Sequence, residues 1–225
     1  MIPIRDTIPT RRVPIVNYLL IAANILVFAW MWLAGPSEQQ TLVYTFAMIP
    51  ASFGNGISLG DVSTIFSSMF MHAGLAHIAG NMLYLWIFGD NVEDSLGHIP
   101  YLIFYLAGGV LAAVAQILVN PGSQIPTVGA SGAIAAVLGA YLVLFPQSRI
   151  VTFIPLGFWM RMTMVPAIVV LGLWFVLQFF NGVLALGGPD VGGVAFWAHI
   201  GGFVAGMIIA KLFVPRRPVE STVTW

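Results

Sequence analysis

The segment Gly129-Ala130-Ser131-Gly132-Ala133-Ile134-Ala135-Ala136-Val137-Leu138-Gly139 opens an apolar run with a single serine at its start. Further on, Ala198-His199-Ile200-Gly201-Gly202-Phe203-Val204-Ala205-Gly206 opens another with a single histidine. Below Ser131, Ala135 and Gly139 follow at i+4 and i+8; below His199, Gly202 and Gly206 follow at i+3 and i+7. Small residues at this spacing let two membrane helices approach closely. Packed stripe to stripe, the two runs would bring Ser131 Oγ within about 3 Å of a ring nitrogen of His199. Serine is a weak nucleophile at its free pKa, and an adjacent neutral imidazole is the usual remedy.

The rest of the chain supports a membrane setting. Of 225 residues, 59% are hydrophobic and 7% charged, against about 25% charged in soluble domains. Net charge is zero, which argues against a nucleic-acid partner. With no cysteine there is neither a disulfide framework nor thiol chemistry. Six stretches approach the roughly 20 apolar residues that a bilayer crossing needs: 14–34, 73–92, 100–119, 129–146, 164–184 and 194–214. Glycine, proline and polar clusters separate them, as at Gly35-Pro36-Ser37 and Asn120-Pro121-Gly122. The expected fold is an all-α membrane protein, a bundle of six transmembrane helices forming one domain over residues 1–225. Two connections stand out: 35–71, a long outer loop expected to lie partly in the interface, and 147–163, expected to be an interfacial segment on the inside.

The basic residues orient the bundle. Arg5, Arg11 and Arg12 precede the first span, Arg149 and Arg161 lie between the fourth and fifth, and Lys211, Arg216 and Arg217 close the sixth. With six spans all of these fall on one side, which the positive-inside rule makes cytoplasmic, along with both termini. Spans two, four and six then run from outside to inside. His77, Asn81, Ser131 and His199 all lie near the outer starts of those three spans. Their offsets amount to about 3–12 Å of depth at 1.5 Å per residue. Polar groups buried at membrane depth are costly and usually functional. The short tails and the lack of a transit peptide favour a prokaryotic plasma (inner) membrane.

Acyl transfer also requires donors for the developing oxyanion. His77 and Asn81, at i and i+4 on one face, could supply them, together with the backbone N–H of Ser131 at a helix N-terminus. His72 lies off that face, in the loop or a frayed first turn, with a supporting role. No acid obviously completes a triad; Asp190, in the loop before the last span, is a weak candidate to orient His199. Asn17, Asn24, Gln116, Gln178 and Asn181 read as polar glue between helices. A haem or metal protein built on His72, His77 and His199 is disfavoured, because spans two and six each offer one plausible ligand. A transporter is disfavoured too, since the charged residues lie in loops or at span ends.

The assembled residues resemble the rhomboid family of intramembrane serine proteases. The resemblance is carried by His72-Ala-Gly-Leu-Ala-His77-Ile-Ala-Gly-Asn81, Glu93-Asp-Ser-Leu-Gly97, Gly129-Ala-Ser131-Gly and Ala198-His199-Ile-Gly-Gly202 through Gly206. It implies a six-helix core with a Ser131–His199 dyad in a water-filled cavity opening to the outer side. His77, Asn81 and the Ser131 amide would form the oxyanion hole, and Gly129 would lie beside the substrate. No cofactor or metal is implied. The implied substrates are transmembrane proteins in the lipid bilayer, cut in or next to their spanning helices. Loop 185–193 would be a cap and the fifth span a lateral gate; no oligomeric state is implied. The alternative within the family is a non-catalytic, rhomboid-like membrane chaperone or quality-control protein. Two positions depart from the common pattern: Ala135 replaces an aromatic residue that packs on the histidine, and Ser63-Thr64 stands in place of Trp-Arg in the first loop.

Overall fold

At the centre of the molecule lies a helix of 14 residues, Ser131–Leu144, buried continuously from Ala133 to Tyr141. A helix apolar all round belongs in a core, and others pack around this one. In chain order the elements are β1 (Ile2–Asp6), α1 (Ile15–Leu33), α2 (Pro36–Phe46), a short 3-10 helix (Pro50–Asn55), α3 (Leu59–Ser68), α4 (Leu75–Leu96), α5 (His98–Val119), the central α6, β2 (Arg149–Leu156), β3 (Trp159–Pro166), α7 (Ala167–Leu186) and α8 (Phe196–Phe213). The computed structural model describes residues 2–156, 159–186 and 193–214. Helices α4, α5 and α8 surround α6, α1 packs outside α4, and α7 lies at the periphery mainly against α8.

The chain is mostly helical, as the composition predicts. Among the described residues, four helices, α1, α5, α7 and α8, are long and apolar enough to cross a membrane. Helix α4 has 22 residues but carries Asp90, Glu93 and Asp94 in its last turns. Helix α6, expected over 129–146, is shorter at both ends because Gly129 and Ala130 form the entry and Phe145 leaves helical geometry.

An all-helical fold is too simple. The segment expected to be merely interfacial, 147–163, supplies most of a three-stranded antiparallel sheet ordered β1-β2-β3. Strand β3 places Met160, Met162 and Met164 at alternate positions, and this period of two suits a strand better than an interfacial helix. The connection 35–71, expected to be an outer loop, is likewise mostly helical. Pro36 starts α2 at a position where a missing N–H costs nothing. Ser58 and Asp61 form a reciprocal capping box at the start of α3.

Glu93 explains the Glu93-x-x-x-Gly97 pattern structurally. Its carboxylate accepts the backbone N–H groups of Val16 at 2.9 Å and Asn17 at 2.7 Å, satisfying orphan donors at the positive end of α1. Gly97 then turns the chain at φ +86° between α4 and α5. Asn17 acts as the expected glue: its amide donates to the Leu85 carbonyl and accepts from the Tyr101 hydroxyl.

Asp6 ties β1 to the bundle, accepting from the Tyr141 hydroxyl at 2.6 Å and from Asn91 Nδ2 at 3.1 Å. Burial raises its pKa to about 6, only partly offset by the Tyr141 hydrogen bond. The folded protein therefore binds this proton more tightly than the unfolded chain, so its contribution to stability is lost as pH rises from about 4 through 6. Asp6→Asn keeps an acceptor oxygen and removes the charge. Its thermal midpoint should exceed that of the wild type at pH 7.5, with the gap closing towards pH 4; a gap independent of pH would contradict the assignment.

Candidate active site

The seam between α6 and α8 sets the geometry. A Cβ on Gly206 would collide with the backbone of Ala136, one on Gly202 with the Gly132 carbonyl, and one on Gly139 with the Phe203 carbonyl. The two helices therefore touch backbone to backbone. On α8 the contacting stripe is the expected one. On α6 it runs through Gly132, Ala136 and Gly139, one position round from the expected line through Ala135, which leaves Ser131 at the edge of the seam with its side chain free to face a cavity.

At the top of this seam Ser131, the first residue of α6, meets His199, the fourth residue of α8. Ser131 Oγ lies 2.7 Å from His199 Nε2. On the other side of the ring, Nδ1 lies 2.9 Å from Gln178 Oε1 on α7. An amide oxygen can only accept, so Nδ1 carries the proton and Nε2 presents its lone pair to the hydroxyl. His199 is buried, while Ser131 is half-exposed to a cavity of about 1230 Å³. The same cavity is lined by His77, Asn81 and Gly129.

His77 approaches from α4. The backbone N–H of Ala73 donates to its Nδ1 at 3.4 Å, which leaves Nε2 as the protonated, donating nitrogen. That Nε2 points at Gly129: a Cβ there would stand 2.8 Å from it and 3.5 Å from Ser131 Oγ. Gly129 also holds φ +130°, so both space and backbone require glycine. Asn81 is buried, and its Nδ2 donates to the His77 carbonyl at 3.1 Å, leaving its second amide hydrogen free of that bond. As the first residue of α6, Ser131 has an N–H with no partner inside the helix. His72 falls outside α4, in the preceding turn, buried and edge-on to His77 at 5.0 Å between ring centroids. Burial first, and then the neighbouring His77, push its pKa down to about 4, so it is neutral near pH 7.

The two departures from the family pattern have visible substitutes. Where Ala135 leaves no aromatic ring beneath His199, the Trp174 ring of α7 lies 5.8 Å from it at a tilt of 34°. The first loop is held without Trp-Arg. Ser67 Oγ donates to the Phe46 carbonyl at 2.6 Å, and the Gly129 N–H donates to the Ser68 carbonyl at 2.9 Å. Loop and site are thus tied through one backbone bond. Gln178, read from sequence as polar glue between helices, does bridge α7 and α8, and its partner is the histidine ring. The available signal was Trp174 and Gln178 at i and i+4 on one face of an otherwise apolar span. Gln116 keeps the expected role, accepting the Ala198 N–H at 3.2 Å. Asp190 and most of the expected cap, 187–192, lie outside the described residues.

The fold and the site thus describe a helical membrane protein with a hydrogen-bonded serine–histidine pair facing a cavity near one end of its central helix. A family model described as the Rhomboid domain matches residues 59–216, and the chain belongs to the rhomboid family. It is a multi-pass integral membrane protein. It is 33% identical over 179 residues to the human presenilin-associated rhomboid-like protein, mitochondrial, covering 77% of this chain and 45% of that protein. It is 30% identical over 197 residues to rhomboid protease GluP of Bacillus subtilis (strain 168), covering 88% of this chain and 34% of that one. The chain therefore spans less than half the length of these relatives.

Proposed function

We propose that this chain is an intramembrane serine endopeptidase that hydrolyses peptide bonds in or next to the transmembrane helices of membrane-protein substrates. Ser131 is the nucleophile and His199 the general base. Oγ attacks the scissile carbonyl carbon while its proton passes to Nε2. The tetrahedral oxyanion is held by Nε2–H of His77, the amide of Asn81 and the N–H of Ser131. Collapse expels the amine, which takes the proton from His199. Water then attacks the acyl-enzyme with the same nitrogen as base, and Ser131 is regenerated. No metal or cofactor enters any step. Gly129 leaves room beside the nucleophile, Gly202 and Gly206 hold the seam, and His72 supports His77 as a neutral ring.

Support comes chiefly from the 2.7 Å approach of Ser131 Oγ to a ring nitrogen whose other side is already occupied by an acceptor. That is the arrangement a general base needs. We further assign six membrane-spanning helices (α1, α4, α5, α6, α7 and α8) in a single domain, with both termini cytoplasmic and the cavity opening to the outer side of a prokaryotic plasma membrane. The placement of the basic residues supports that orientation. A backbone paired in a helix cannot present a carbonyl to a nucleophile, so substrates whose spans carry Gly, Pro or polar residues should be cut faster. The test is cleavage of a single-span substrate in proteoliposomes. Wild type should release two fragments, and Ser131→Ala should release none. Fragments at the wild-type rate from Ser131→Ala would remove Ser131 as the nucleophile, and no fragments from wild type would leave the non-catalytic chaperone reading in its place.

A further inference from the structure

We propose that Gln178 of α7 is a positioning residue for the reaction. Its amide oxygen holds His199 in the one tautomer that can take the Ser131 proton, with Trp174 one turn earlier bracing the ring. This rests on the Ser131–His199 assignment above and adds a third side chain to it.

A neutral imidazole has two tautomers, and only the one protonated on Nδ1 leaves Nε2 free to accept from serine. In many serine hydrolases a carboxylate makes that choice. Among the described residues, the carboxylates tied into the bundle are at the wrong end. Asp6 bonds to Asn91, and Glu93 caps α1; Asp90 lies 13 residues beyond His77 on α4, about 20 Å along the helix. Among the described residues, the titratable side chain whose charge acts on His199 is His77, which faces Gly129 and the serine. What meets Nδ1 is Gln178 Oε1 at 2.9 Å. A glutamine side chain in an apolar helix is costly unless satisfied, and this bond, across to α8, satisfies it. Trp174 contacts the same ring at 5.8 Å and Phe203 at 6.0 Å, so α7 touches His199 through both an acceptor and a flat face. A neutral acceptor selects the tautomer without a buried negative charge, which suits a site built inside lipid.

The experiment measures Ser131 phosphonylation by a fluorophosphonate, and substrate cleavage as a function of pH, for wild type, Gln178→Leu and Gln178→Glu. Ser131→Ala serves as the control for the nucleophile itself. Gln178→Leu, which has similar size and no acceptor, should slow labelling about tenfold or more, the scale of one lost hydrogen bond, with KM unchanged. Gln178→Glu should retain labelling. Its carboxylate favours the imidazolium, so the acid limb of its pH profile should move up by about one unit or more. Labelling of Gln178→Leu at the wild-type rate, or an unshifted acid limb in Gln178→Glu, overturns the proposal, and the glutamate variant decides alone if the leucine variant fails to fold. Undiminished labelling of Ser131→Ala would instead bring down the underlying dyad.

Discussion

Replacing His199 with alanine should abolish proteolysis as completely as replacing Ser131, and the double variant should be no worse than either single one. Members of a nucleophile–base unit fail together, with losses of about 10⁵- to 10⁶-fold that do not add. The physical reason lies in the 2.7 Å bond between them. Without the imidazole the hydroxyl has nowhere to send its proton at neutral pH; without the hydroxyl the imidazole has nothing to activate. The proposed oxyanion donors on α4 survive either change, so substrate binding should persist in all three variants. Cleavage of a transmembrane substrate in proteoliposomes, alongside substrate co-purification, checks both parts. A double variant slower than the singles by the product of their losses would mean that the two residues act independently.

The second large effect should come from a single methyl group far from the chemistry. Gly206→Ala places a Cβ against the carbonyl oxygen, carbonyl carbon and Cα of Ala136, and backbone cannot turn aside as a side chain can. The seam must open. Overpacking of this kind costs about 1–3 kcal/mol or more, and it also moves α8 away from α6. His199 lies seven residues above Gly206 on the same stripe, so it moves with the helix; a displacement near 1 Å is worth about 100-fold in rate. Both the thermal midpoint and the cleavage rate should fall. Gly172→Ala provides the contrast, because an added Cβ there meets nothing within 4 Å. It should leave both unchanged or gain slightly from the better helix former. Equal behaviour of the two variants would contradict the backbone contact.

Much of this site is legible in the sequence because depth in a bilayer is a linear coordinate. Counting residues from the start of each apolar run places His77, Asn81, Ser131 and His199 at similar height, and the glycines at i+3 and i+7 from His199 mark the face that packs. Rotation about a helix axis is harder to read. The stripe on α6 departs by one residue from the line through Ala135, and nothing in the apolar span around Gln178 says which neighbour its amide will meet. The sheet was legible in part: the alternating methionines of β3 carry a period of two, but the flanking aromatics suggest an interfacial segment just as well. Pairing with β1, 149 residues earlier by the Pro3–Thr152 register, is a long-range event that local pattern does not encode. The helices of 35–71 were signalled by Ser58 and Asp61, a capping pair that an apolar-run count passes over.

Fluorophosphonate treatment of the purified, membrane-reconstituted protein, with the adduct mapped by peptide mass spectrometry, asks whether the histidine of α8 makes the serine hydroxyl at the start of α6 nucleophilic. One phosphonyl group is expected on Ser131, strongly reduced in His199→Ala; an unmodified Ser131, or equal modification without His199, would contradict that activation.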